Sequence, residues 1–192
     1  MSGRGSAPNT AGYVELDASI MDGATREAGA VAAIVGVVNP ISVARGVLRA
    51  TPHVMLAGQG ALAFAKLEGF ELVEDPDNYY VLPVGVYEDE ITEQKHGTVG
   101  AVALDTSGGL AAATSTGGTL GKLEGRVGDS PLIGPGTWAR ISGPVVRRCA
   151  AGLAGLVNWL GIQWPCWSTS ACARATEPAI PSAPGVNTTW AP

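Results

Sequence analysis

From Ala30 to Val38 the chain is an unbroken run of small apolar residues and one glycine, a pattern that predicts a buried strand. Asn39 can cap a helix whose first position is Pro40. Ile41, Ala44, Val47 and Leu48 then recur at helical spacing until Pro52 stops the pattern. Val54 to Leu56 reads as a short strand, Gln59 to Leu67 as a second helix closed by Gly69, and Phe70 to Val73 as a short extended piece. Asp75 to Lys95 is mostly hydrophilic, with Glu88, Asp89, Glu90 and Glu93 clustered near its end, which predicts a solvated connector. Beyond it, His96 to Asp105 predicts a strand that Thr98 opens. A turn of Asp, Thr, Ser and Gly follows, and Leu110 to Gly118 returns. Such a β-hairpin brings Thr116 back towards Thr98.

Composition adds limits. A chain of 192 residues is long enough for one domain with a proper core. Only 15% of residues are charged and 27 are glycine, which suits tightly packed sheets and short loops. A net charge of −5 gives no reason to expect a nucleic-acid partner. The first eight residues hold no apolar core of a signal peptide, so a cytoplasmic location is expected, and the sequon at Asn187 reads as chance. Ala150 to Leu160 is apolar enough for one buried or interfacial helix. It is too short, and too interrupted by Asn158, Gln163 and Pro165, to span a membrane, so no membrane partner is expected.

The candidate chemistry centres on Thr98. A threonine hydroxyl is a weak nucleophile until a base stands beside it. Cleavage between Gly97 and Thr98 would free an α-amine able to act as that base. Taken alone, the same residues are also what a strand start after a glycine turn looks like. A second hydroxyl, at Thr116, can hold the oxygen of the first. The glycine-rich stretch Gly121 to Ala139 presents Arg126 and Asp129, a planar fork for a carboxylate and a partner for an ammonium. Together they suit the zwitterionic head of an amino acid; on their own they also suit a surface ion pair. His53 and His96, the only histidines, have no nearby cysteine or carboxylate pattern, so no zinc site is expected. His53 reads as a hydrogen-bonding core residue and His96 as the end of the connector. Gly117 to Lys122 fails as a phosphate loop because Leu123 stands where Ser or Thr is required.

The run Gly97 to Ala139, with Glu15 to Gly23, Ala28 to Ala33, Asn39-Pro40 and Thr51 to Met55, resembles the plant-type asparaginase and isoaspartyl peptidase family of N-terminal nucleophile hydrolases. The resemblance covers residues 3–139. It implies an α/β fold of the four-layer αββα type, incomplete here. It implies a precursor cut between Gly97 and Thr98, with Thr98 as nucleophile and Thr116 as its hydroxyl neighbour. Arg126 would bind the substrate's α-carboxylate and Asp129 its α-amine. The implied reaction is hydrolysis of β-aspartyl amides, in isoaspartyl dipeptides or L-asparagine, without metal or cofactor. Family members form dimers of cleaved α–β units. The implied division is an α-subunit-like part over 1–97, the start of a β-subunit-like part over 98–139, and an atypical tail over 140–192. Glycosylasparaginase shares the nucleophile logic, but the missing secretion signal argues against it. An inactive truncated remnant, or a binding partner of a full-length relative, is the alternative from another class.

Two departures from the family pattern sharpen that alternative. At the front, Met1-Ser2-Gly3-Arg4-Gly5 stands where the family has an N-A-G-x-G motif, so the motif's Asn and an earlier strand and helix are expected to be missing. At the back, the family's oxyanion-binding Thr and Gly have no counterpart after Ala139. The tail holds Cys149, Cys166 and Cys172 and four of the five tryptophans, but a single acid, Glu177. That bias is what a shifted reading frame of a GC-rich gene would give; a genuine divergent C-terminus is the competing reading. Cys166 and Cys172 are close enough in sequence to pair, yet a cytosolic chain gives little reason for it.

Overall fold

The computed structural model describes residues 2–81, 96–142, 147–152 and 156–158, with His96 and everything from residue 141 described by backbone only. The connector's acidic residues Glu88, Asp89, Glu90 and Glu93, the cysteines Cys166 and Cys172, and Asn187 lie outside these residues.

Alternation in Leu16-Asp17-Ala18-Ser19-Ile20-Met21-Asp22 gives strand β1 (Leu16–Asp22), which pairs antiparallel with β2 (Ala28–Ile34). Helix α1 (Pro40–Ala50) starts at Asn39, whose Oδ1 accepts the Ser42 N–H at 3.3 Å, with Pro40 in the first turn. The short β3 (Met55–Ala57) lies parallel to β2, and α2 (Gly58–Leu67) follows it. Gly69, at φ +73°, closes α2 in a Schellman arrangement: Phe70 N–H donates to Ala65 O at 2.9 Å and Gly69 N–H to Lys66 O at 3.3 Å. A single turn, α3 (Pro76–Tyr79), is capped by Asp75.

Strand β4 (His96–Leu104) and β5 (Leu110–Thr119) form the expected hairpin. Asp105 ties its turn together by accepting from Ser107 N and Oγ and from Gly109 N at 2.9, 2.7 and 2.6 Å, bonds that hold its carboxyl below the usual aspartate value. The five strands make a mixed sheet in the order β3-β2-β1-β5-β4, so the fold is α/β. A second, antiparallel sheet comprises β6 (Thr137–Ser142), β7 (Arg147–Gly152) and β8 (Leu156–Asn158). Strand β6 lies against β1 and β5, and β7 against β5 and β4.

The first sheet has two unlike faces. Leu16, Ala18, Val31 and Ile34 pack with Val43 and Val47 of α1 and with Ala61 and Ala65 of α2. Gly29 lets α1 rest directly on β2, for a Cβ there would stand 2.5 Å from Leu48 N. On the opposite face Asp17, Ser19, Thr114 and Thr116, with Thr137 of β6 packed on them, are all buried yet polar. Only further along, at Met21, Leu110 and Ala112, with Ala139 of β6 against them, does that face become apolar.

Several expectations change. Reading elements only from Ala30 onward leaves out β1, which is the middle strand. The apolar run ends as a strand at Ile34; Val37 instead bridges to Leu72. The connector begins with the α3 turn, because Asp75 and Pro76 are a cap and a first-turn residue. Of the helix expected over 150–160, residues 150–152 and 156–158 are strand instead, in β7 and β8, and the remaining positions lie outside the described residues. Gly152 and Gly155 are poor helix formers, each costing about 1 kcal/mol relative to alanine, while β6 offers a ladder to Arg147–Gly152. His53 is exposed rather than in the core, since Pro52 ends α1 at the surface and His53 follows it outward.

Candidate active site

The polar face is organised by one cross-strand row. Asp17 of β1 stands opposite Thr116 of β5, and Thr116 opposite Thr98 of β4, so the three side chains project on the same side. A β-bulge interrupts the ladder next to this row in both neighbouring pairs. In β5, Gly117 and Gly118 together oppose Gly97. In β2, Ala32 and Ala33 together oppose Asp17. Each bulge puts one residue in the left-handed region, Gly118 at φ +77° and Ala33 at φ +47°. Ala33 lacks glycine's freedom there, at a cost of about 1–2 kcal/mol. A bulge turns an amide out of the ladder, and a side chain of the row captures each one. Gly118 N–H donates to Thr116 Oγ1 at 2.9 Å, and Ala33 N–H to Asp17 Oδ1 at 2.8 Å.

Around Thr116 the hydrogen bonds form a single consistent chain. Thr98 Oγ1 donates to Thr116 Oγ1 at 3.1 Å, and Thr116 Oγ1 donates its own proton to Gly97 O at 2.9 Å. The carbonyl of the Gly97–Thr98 peptide is thus polarised by the same hydroxyl that holds the Thr98 oxygen. Gly117 is needed for closeness, since a Cβ on it would stand 2.5 Å from Ser6 Cβ.

Arg126 and Asp129 sit on the loop between β5 and β6, both exposed. They do not form the surface ion pair that the sequence also allowed. Among the described residues the one ion pair is that of the buried Lys122 with Glu15, at 3.9 Å. Lys122 Nζ also donates to Glu15 O at 3.0 Å, and burial pushes its pKa down against the opposing pull of Asp17 and Glu15. Burial raises the Asp17 carboxyl, partly offset by the Ala33 amide and Lys122. Gly118 leaves room for this crowd: a Cβ there would stand 3.2 Å from Lys122 Nζ and 3.5 Å from Arg126 Nη1.

One step along the sheet, Ser19, Thr114 and Thr137 lie 2.6 to 3.1 Å from one another. Ser19 and Thr114 also donate to Ser130 O, at 2.5 and 2.7 Å. This cluster fixes the loop immediately after Asp129. Sequence reasoning missed Glu15, Asp17, Lys122 and Gly118. The signal for the first two was the alternation Glu15, Asp17, Ser19 on a strand whose other face is apolar. Among the described residues, no three His, Cys, Asp or Glu side chains gather as a metal site would need, and no helix is long and apolar enough to cross a membrane.

Comparison with known proteins places these residues among relatives. The family model described as Asparaginase matches residues 1–82 and 76–146. The isoaspartyl peptidase of Escherichia coli (strain K12) is 39% identical over 198 residues, covering 89% of this chain and 60% of the relative. The human isoaspartyl peptidase/L-asparaginase is 46% identical over 151 residues, 72% of this chain and 48% of the relative. The plant-type L-asparaginase of Pyrococcus horikoshii is also 46% identical, over 72% of this chain and 51% of its own length. The chain therefore spans about half of the length of the curated relatives it matches.

Proposed function

Because the chain belongs to the asparaginase family, we propose that it carries the nucleophile and the substrate loop of a β-aspartyl amide hydrolase, acting on isoaspartyl dipeptides and L-asparagine. The observation that carries this reading is the hydrogen-bond chain from Thr98 Oγ1 through Thr116 Oγ1 to Gly97 O. It suits self-cleavage first. Thr98 Oγ1 attacks the Gly97 carbonyl carbon, the oxygen of which gains charge while bonded to the Thr116 hydroxyl. The peptide C–N bond breaks as the proton of the Thr98 hydroxyl passes to the nitrogen, leaving an ester and a free α-amine on Thr98, and water hydrolyses the ester to a Gly97 carboxylate and the free Thr98 hydroxyl.

The same hydroxyl then serves the substrate. The freed amine takes the Thr98 proton, Oγ1 attacks the substrate's side-chain carbonyl, and the leaving amine departs with a proton. A β-aspartyl ester remains, which water opens to aspartate. Arg126 binds the α-carboxylate and Asp129 the α-ammonium; their exposure leaves them available to an incoming amino acid. In the same reading the two sheets and their helices belong to a four-layer αββα sandwich, cut into parts 1–97 and 98–139, and cleaved units pair as dimers. The tail over 140–192 is either a stretch read out of frame or a genuine divergent C-terminus; the alignment with the Escherichia coli relative, which covers 89% of the chain, extends into it, and the coding DNA beyond codon 139, translated in all three frames, decides.

Denaturing mass analysis of the purified chain tests the central claim. Two fragments that join at Gly97 and Thr98 are expected from the native sequence, and one intact mass from Thr98→Val. A single intact mass from a folded native chain after prolonged incubation overturns it.

A further inference from the structure

Arg126 stands between two glycines whose amide hydrogens are both taken by carboxylates from one stretch of chain. Glu15 accepts the Gly125 N–H, at 2.9 Å through Oε1 and 3.2 Å through Oε2. Asp17 accepts the Gly128 N–H at 3.3 Å through Oδ2. Glu15 immediately precedes β1 and Asp17 lies within it, and both side chains reach the same loop. Both are buried, at 4% and 0% exposure, whereas the guanidinium they flank is exposed. No helix or strand stiffens the chain from Gly121 to Ser130.

Each carboxylate also serves a second donor: Asn9 Nδ2 donates to Glu15 Oε2 at 3.0 Å, and Ala33 N–H to Asp17 Oδ1. An ionised carboxylate is acceptor-only and can take both; an amide side chain would turn a donor towards one of them. Lys122, buried beside the pair, offsets part of their charge. The arrangement joins the loop to the nucleophile, because Asp17 lies in the row of Thr116 and Thr98.

We propose that Glu15 and Asp17 are positioning residues for substrate recognition: they clamp the loop at Gly125 and Gly128 and so set where Arg126 meets the substrate's α-carboxylate. This rests on the reading of Arg126 given above.

The test uses the full chain with Glu15→Gln and Asp17→Asn, and reads two quantities. Amide hydrogen exchange is followed at Gly125 and Gly128, and kcat and KM are measured with L-asparagine. Exchange should rise at Gly125 in the first variant and at Gly128 in the second, and KM should rise about tenfold while kcat stays within about threefold, the pattern of lost binding rather than lost chemistry. Gly128→Ala leaves both carboxylates in place but puts a Cβ 3.1 Å from Arg126 Nη1; it should raise KM with exchange at Gly125 unchanged. It also carries the test should Asp17→Asn fail to fold. Unchanged exchange at both glycines, or kcat falling as far as KM rises, overturns the proposal. A native chain that turns over no L-asparagine overturns the functional reading instead, and the exchange measurement then decides the clamp alone.

Discussion

Leu16, Ala18 and Ile20 face two helices; Asp17, Ser19 and Met21, interleaved with them on the same strand, face a second sheet. The first face is held by area and fit. Its side chains are small or branched, and α1 approaches until a glycine is required at position 29. Fully burying a residue such as Val43 or Val47 is worth about 1.5–3 kcal/mol, and no polar partner is needed. The second face is held by satisfied polarity. The side chains of Asp17, Ser19, Thr114, Thr116 and Thr137 are bonded to backbone amides, to backbone carbonyls and to one another, and each would be costly if orphaned, as Ser6 Oγ and Ser130 Oγ at the edge of the face are. The lesson is that this molecule separates the work of holding the sheet together from the work of placing the groups proposed to react, and does so on a single strand through the period of two.

Three substitutions probe that separation. Leu16→Ala on the helix face should cost most, about 2–5 kcal/mol, because it leaves a cavity under α1 and α2. Urea unfolding would measure it. The folded fraction should still cleave itself between Gly97 and Thr98, and loss of cleavage at full folding would break the separation. Thr114→Val on the inner face should cost less, about 1–3 kcal/mol, by removing one of the donors to Ser130 O and leaving Ser19 and Thr137 short of a partner. Here the unfolding transition and the exchange rates around Asp129 should change together. Thr98→Val should cost least, about 0.5–1.5 kcal/mol for one hydrogen bond. Yet it should abolish cleavage altogether, seen as one intact mass. An inverted order, with Thr98→Val the most destabilising of the three, would mean that the reactive hydroxyl is part of what holds the sheet.

Much of the helix face could be read directly from the sequence. Asn39-Pro40 is a cap and a first turn, Ile41 to Leu48 keeps helical spacing, and both features act over a few residues. The hairpin was legible for the same reason, since Asp105 to Gly109 makes its turn from its own side chain. Thr98, Thr116, Arg126 and Asp129 were nameable as candidates through a family resemblance, each by residue type and order. Their roles rest on that resemblance and on the chemistry of the residue types.

What the sequence alone determined, then, is the helices α1 and α2, the β4–β5 hairpin and the candidate residue types, because caps, turns and periodicity are decided by near neighbours in the chain. It did not decide that Leu16–Asp22 would be the central strand, nor that the bulges at Ala32-Ala33 and Gly117-Gly118 would flank one row. Nor did it show that Glu15 and Asp17 would reach residues 125 and 128, some 110 positions away. Those are matters of register. A bulge exists only relative to a partner strand, and a buried carboxylate is tolerable only where donors from distant segments converge on it. The tertiary structure supplies both, and with them the geometry that joins the Thr98 hydroxyl, the Thr116 hydroxyl and the Gly97 carbonyl.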